Sequence, residues 1–136
     1  MTKKKEFSLP SRVESVETAA QEAADFASKA GFGEEALFAI DMAVREAVAN
    51  AVKHGNLEDE TKSVGLTFDS TDAGFEILIR DFGTGFVVEE IPDPTNPENL
   101  LKASGRGILF MRSFMDEVEW LNHREGGMIV KMLKRR

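Results

Sequence analysis

Glu46 and Asn50 stand four residues apart in a stretch with helical spacing. A carboxylate and an amide so placed lie one above the other on a helix, about 6 Å apart between Cβ atoms. The pair suits hard-cation chemistry, because an amide oxygen can ligate Mg²⁺ while a neighbouring carboxylate takes a proton. It equally fits an ordinary exposed polar pair. On a helical wheel with Glu46 at zero and about 100° per residue, Leu37, Ile40, Val44, Val48 and Ala51 centre at about 150°, the expected core stripe. Asn50 then falls at about 40° and Lys53 at about −20°, on the side of Glu46. Ala39, Met42, Ala43 and Ala49 fill the positions between, where a solvated face would carry charge. Asn is also a poorer helix former than Ala, so its presence asks for a reason.

Two glycine clusters follow. Asp81-Phe82-Gly83-Thr84-Gly85 ends an apolar run; its glycines permit a sharp turn close to a flat ligand, and Asp81 can accept from an exocyclic amine. Ser104-Gly105-Arg106-Gly107 directly precedes a helical pattern. Free N–H groups at a helix start favour anions, glycines clear the approach, and Arg106 adds a charged donor. Each cluster alone is also a plain turn or a loop-to-helix junction, and neither matches the spacing of a Walker A loop or a dinucleotide fingerprint. Taken in order, with a long aperiodic segment between the clusters, they supply the parts needed to hold adenine, Mg²⁺ and a triphosphate under a lid.

The elements that must position these residues can be placed from periodicity. A strand including Phe7-Ser-Leu-Pro10 leads to Ser11 and Glu14, spaced as a capping box for a helix over 13–30 that Gly31 ends. A second helix is expected over 33–53, stopped by His54-Gly55-Asn56. Strands are expected at 62–69 and 74–82, then a loop over 83–105 holding three prolines, a helix over 107–115, and a hairpin of strands 117–122 and 128–133. This order implies an α+β fold: a two-layer sandwich whose mixed, mostly antiparallel sheet carries helices on one face.

The chain has 136 residues, enough for one domain over residues 1–136 with no room for a separate substrate domain. It has no cysteine, which excludes thiol nucleophiles and Cys-ligated zinc or iron–sulfur clusters. Its net charge of −7 speaks against direct nucleic-acid binding, and the basic clusters at Lys3–Lys5 and near Lys134-Arg135-Arg136 fit solubilising tails. No apolar run has the shape of an export signal or the length of a membrane span, so the cytoplasm is the expected location and no membrane partner is expected. His54 and His123 lack partners at metal-ligand spacing; His54 fits a helix C-terminal cap, and Lys53 a solvent-facing helix end.

These residues together resemble the GHKL ATPase superfamily with its Bergerat nucleotide-binding fold. Glu46-Ala-Val-Ala-Asn50-Ala-Val-Lys-His54-Gly55-Asn56 resembles the N box, Asp81-Phe-Gly83-Thr-Gly85 the first glycine box, and Gly105-Arg-Gly107 the second. With Gly-Arg-Gly-Ile-Leu-Phe-Met from Gly105, the chain is most similar to bacterial anti-sigma-factor serine kinases. That resemblance implies a protein that binds a sigma factor and uses ATP with Mg²⁺ to phosphorylate a serine of an anti-anti-sigma antagonist of the STAS type, as a homodimer. It makes Glu46 the general base, Asn50 the Mg²⁺ ligand and Asp81 the reader of the adenine amine. Gly83 and Gly85 would line the adenine pocket. Ser104, Gly105, Arg106 and Gly107 would hold the phosphates, and residues from about 87 to 104 would form the lid. Two positions depart from the family pattern. Met128 follows Gly126-Gly127 where a threonine hydroxyl commonly supports the adenine-binding carboxylate, and Ala103 stands where some relatives carry arginine. Met128 leaves room for an alternative, a module that uses ATP only to order its lid and select a partner. The ATP-binding part of a phosphorelay histidine kinase is a third reading, and it lacks its phosphoacceptor hairpin here.

Overall fold

The computed structural model describes residues 3–56, 59, 61–83 and 111–136. Five strands form one sheet: β1 Lys3–Pro10, β2 Ser63–Ser70, β3 Gly74–Arg80, β4 Glu117–Asn122 and β5 Met128–Arg135, in the order β1-β2-β3-β5-β4. All four described pairings are antiparallel. Helices α1 (Glu14–Lys29) and α2 (Glu34–Asn50) stand between β1 and β2 in the chain, and α2 runs on into a π-helical turn, Ala51–Gly55. Residues 111–114 are helical, Met115 already lies in a bend, and residues 107–110 of the expected third helix lie outside the described residues.

Period-two alternation aims one sheet face at the helices. Val64, Leu66 and Phe68 of β2, Ile77 and Ile79 of β3, and Val130 and Met132 of β5 are buried there with Ala19, Ala23, Ala27, Ile40, Val44 and Val48. The opposite face is half-exposed, with Thr67, Leu78 and Lys131 abreast on neighbouring strands. Phe68 and Phe75 are fully buried and pack edge to face at 5.4 Å, with Phe26 of α1 against both. Burying each such ring contributes roughly 1.5–3 kcal/mol. A surface ion pair, such as that of Arg45 with Glu17 between the helices, contributes about 0–1 kcal/mol. Apolar contact therefore holds α1 to the sheet.

Gly31 ends α1 as expected, at φ 95°, in a Schellman motif: Phe32 N–H donates to Ala27 O and Gly31 N–H to Ser28 O, both at 3.1 Å. The Ser11–Glu14 capping box does not form. The residue preceding Glu14, Val13, is already helical and no side chain caps this end. Ser11 belongs instead to the end of the sheet, its N–H donating to Lys62 O at 3.2 Å, while the Ser15 hydroxyl donates back to Pro10 O at 2.6 Å. The basic clusters are also not tails. Lys3–Lys5 sit in edge strand β1, where Lys5 pairs with Glu22 of α1. Lys134 and Arg135 lie in β5, and Arg136 donates to Ala30 O, Thr71 O and Ser70 Oγ.

Candidate functional site

Topology brings the site together. Because β5 lies between β3 and β4, the chain leaving β3 at Asp81 meets the turn entering β5 at Gly126-Gly127. Asp81 N–H donates to Met128 O at 3.0 Å, and Met128 N–H returns not to a backbone carbonyl but to Asp81 Oδ1, at 3.2 Å. The carboxylate thus makes the last rung of the ladder. Gly83 N–H donates to the same oxygen at 3.1 Å, an Asx turn over the first glycine box. Asp81 is only 7% exposed. Burial pushes its carboxyl pKa above the ordinary value, and the amides of Gly83 and Met128 pull the other way.

Gly127 makes this approach possible. It holds φ 86°, and a Cβ there would lie 2.1 Å from the Asp81 carbonyl oxygen. Only a residue without a side chain permits the turn to pass so close. At Met128, where the sequence departs from the family, the backbone N–H gives the carboxylate its hydrogen bond.

Glu46 and Asn50 lie on the last turns of α2 and are half-buried. The face they share is not uniform. Ala39 and Ala43, which the wheel placed beside Glu46, are buried, Ala43 within the core. One turn further on, Glu46, Ala49 and Asn50 regain partial access to solvent. The face is closed at its start and open where its two polar groups stand. Lys53 is exposed, as expected for a helix end. Past Asn50 the helix widens into its π turn, closed by Asn56 N–H donating to Ala51 O at 2.8 Å. Single π turns inside helices occur often at functional sites.

Asn56 is the contributor that sequence reasoning left without a role, as part of a helix-stopping tripeptide. It is fully buried; Nδ2 donates to Ser63 O at 2.9 Å and Oδ1 accepts from Phe82 N–H at 2.8 Å. A signal for it was an amide side chain just after a helix-ending glycine, a place for local backbone bonding. The Gly126-Gly127 pair was legible only as a hairpin turn. Of the other expected site residues, Gly83 is half-buried beside Asp81. Gly85, Ser104, Gly105, Arg106, Gly107 and the lid at about 87–104 lie outside the described residues, as does the side chain of His54. His123 serves its hairpin, Nδ1 accepting from Glu125 N–H at 3.0 Å.

Among the described residues no three His, Asp or Glu side chains cluster as a metal cage. The oxygen donors that α2 presents, the half-buried Glu46 carboxylate and Asn50 amide, are of the kind Mg²⁺ takes, one or two at a time, together with waters and substrate phosphates. No helix of the described residues is long and apolar enough to cross a membrane.

Comparison with known proteins agrees with this geometry. The serine-protein kinase RsbW of Oceanobacillus iheyensis is 30% identical over 131 residues, covering 92% of this chain and 82% of its own length. The RsbW of Bacillus subtilis is 28% identical over 135 residues, covering 95% and 83%. The anti-sigma F factor of Heyndrickxia coagulans is 38% identical over 96 residues, 67% of this chain and 64% of that protein. A crystal structure of RsbU and RsbW domains from Mycobacterium tuberculosis superposes with a TM-score of 0.71 over 98% of this chain and 32% of that one, at 16% identity, and so shares the fold. A family described as histidine kinase-like ATPase domain matches residues 9–134, and the chain belongs to that family, the GHKL-type ATPases.

Proposed function

We propose that this chain is an ATP-dependent protein serine kinase and anti-sigma factor, which holds a sigma factor and phosphorylates a serine of a STAS-type anti-anti-sigma antagonist. The observation that carries the reading is the buried Asp81 carboxylate, fixed by two backbone amides where β3 meets β5. A carboxylate so oriented suits the exocyclic amine of adenine.

The remaining roles follow from chemistry and from kinship with RsbW. Glu46 accepts the proton of the partner's serine hydroxyl as its oxygen attacks the γ-phosphorus and ADP departs. The Asn50 amide oxygen would hold Mg²⁺, which when bound neutralises phosphate charge. Gly83 and Gly85 line the adenine pocket, Ser104, Gly105, Arg106 and Gly107 hold the phosphates, and the segment at about 87–104 closes over them. Phosphoryl transfer depends mostly on positioning and charge neutralisation, so a list this short suffices. The protein acts as a homodimer in the cytoplasm. The alternative, an ATP-gated binding module without transfer, rests on Met128, whose side chain offers no hydroxyl to Asp81; the Met128 backbone N–H still donates to that carboxylate.

Incubation with Mg-ATP and a STAS-domain antagonist should add one phosphate, seen by intact mass. Glu46→Ala should slow transfer by roughly 10²–10⁴-fold, while ATP still raises the melting temperature. Unchanged transfer in that variant removes Glu46 from the base role. A thermal shift with ATP but no phosphate on any antagonist favours the binding module.

A further inference from the structure

Asn56 is fully buried, and its amide joins three parts of the chain. Its own N–H closes the π turn on Ala51 at 2.8 Å, Nδ2 reaches the carbonyl of Ser63 at the start of β2, and Oδ1 holds the N–H of Phe82. Only one orientation of the amide satisfies both side-chain bonds, since a carbonyl needs the NH₂ and an N–H needs the oxygen. Phe82 stands between Asp81 and Gly83, the two ends of the Asx turn. The clamp therefore grips the middle of the turn that aims the carboxylate, and its other end is rooted in the helix that carries Glu46 and Asn50.

We infer that Asn56 is a positioning residue for nucleotide recognition, holding the Asp81 turn in fixed register with the C-terminal end of α2. The inference rests on the reading of Asp81 as the adenine acceptor and goes beyond it. That reading says which group meets the base, and Asn56 says what keeps the group at a set place relative to the phosphate-side residues. Among the described residues the Phe82 N–H is met by Asn56, while the Phe82 ring centroid lies 4.2 Å from the Arg80 guanidinium.

The test compares ATP with purine riboside triphosphate, which lacks the 6-amino group, using calorimetry on the full chain. The unaltered protein should prefer ATP by at least about tenfold, the worth of a hydrogen bond to a charged acceptor. Asn56→Ala should weaken ATP binding and cut the preference several-fold, whereas a general loss of stability leaves the ratio unchanged. Asn56→Asp retains the acceptor for Phe82 N–H and should keep more of the preference than Asn56→Ala. An unaltered ratio in a folded Asn56→Ala overturns the inference. If the variants do not fold, hydrogen exchange on the unaltered chain decides. ATP should slow the Phe82 and Met128 amides together, and a Phe82 amide indifferent to ATP overturns the clamp. Asp81→Asn is the control for the underlying reading. If it keeps the ATP preference, or the unaltered chain has none, the adenine assignment fails and the inference with it. If Asp81→Asn loses the preference and Asn56→Ala keeps it, the inference alone fails.

Discussion

Strands β3 and β5 close against each other at both ends with the same device and to opposite purpose. At one end Gly74 holds φ 150°, and a Cβ there would lie 2.2 Å from Lys134 O; at the other Gly127 holds φ 86°, and a Cβ would lie 2.1 Å from Asp81 O. Beside Gly74 the charged group is a cation, each of whose three guanidinium nitrogens donates to the protein. Arg136 reaches Ala30 O at 2.8 Å, Ser70 Oγ at 2.9 Å and Thr71 O at 3.1 Å, with its guanidinium 5.1 Å from the Phe32 ring centroid. Beside Gly127 it is a carboxylate, and both described bonds fall on one of its two oxygens. A carboxylate accepts about four hydrogen bonds. The first end is a finished seam; the second is arranged to accept more.

Alanine at the two glycines separates the purposes and carries the largest effects. Gly127→Ala and Gly74→Ala should each cost roughly 2–4 kcal/mol, from positive φ and forced displacement of backbone, read by denaturant unfolding. Only Gly127→Ala should also weaken ATP binding in the folded fraction, because only it displaces Asp81. Equal loss of ATP binding in both variants breaks the distinction between the ends. Arg136→Ala comes next: about 1 kcal/mol of stability, given its exposed position, with ATP affinity unchanged. A change in ATP affinity would mean that the seam communicates with the site.

The smallest effect is a dependence on pH at the Asp81 end. Burial places the native carboxyl pKa above the ordinary 3.8, so the folded state binds that proton more tightly than the unfolded one. Its contribution to stability is most favourable below 3.8, declines as pH rises through the window up to the raised native value, and stays flat above it. Asp81→Asn removes this decline. Melting curves without nucleotide should show the variant gaining on the unaltered protein across that window and holding a constant margin beyond it. A margin that shrinks with rising pH contradicts burial as the dominant cause.

Much of the fold was legible because periodicity carried it. The alternation in 74–80 and the helical spacing of Ile40, Val44 and Val48 each identify an element and its buried face. Gly31 marked its helix end for a local steric reason. The Ser11–Glu14 spacing misled, because a long-range bond to Lys62 ties Ser11 to the end of the sheet and Val13 is already helical. Lys3–Lys5 misled likewise, since charge alone does not tell a free tail from an edge strand, where lysines are common. At the site, Asp81 was visible as the end of a strand before glycines. Asn56, Gly127 and the Met128 amide were not, because each acts through a backbone atom of a residue distant in sequence. No pattern of side-chain types encodes which N–H a strand end will meet.

The rung between Met128 and Asp81 also has a consequence for the order in which the molecule forms. It joins residues 47 positions apart, whereas the β2–β3 and β4–β5 hairpins close over short turns. Closing a long loop demands more chain entropy, so such contacts follow local ones. The hairpin that ends at Arg80 can form while the carboxylate beyond it is still bare to water. Burial and the second amide arrive only when β5 docks between its neighbours. Nucleotide recognition is on this account a property of the completed sheet, absent from every segment that assembles on the way to it.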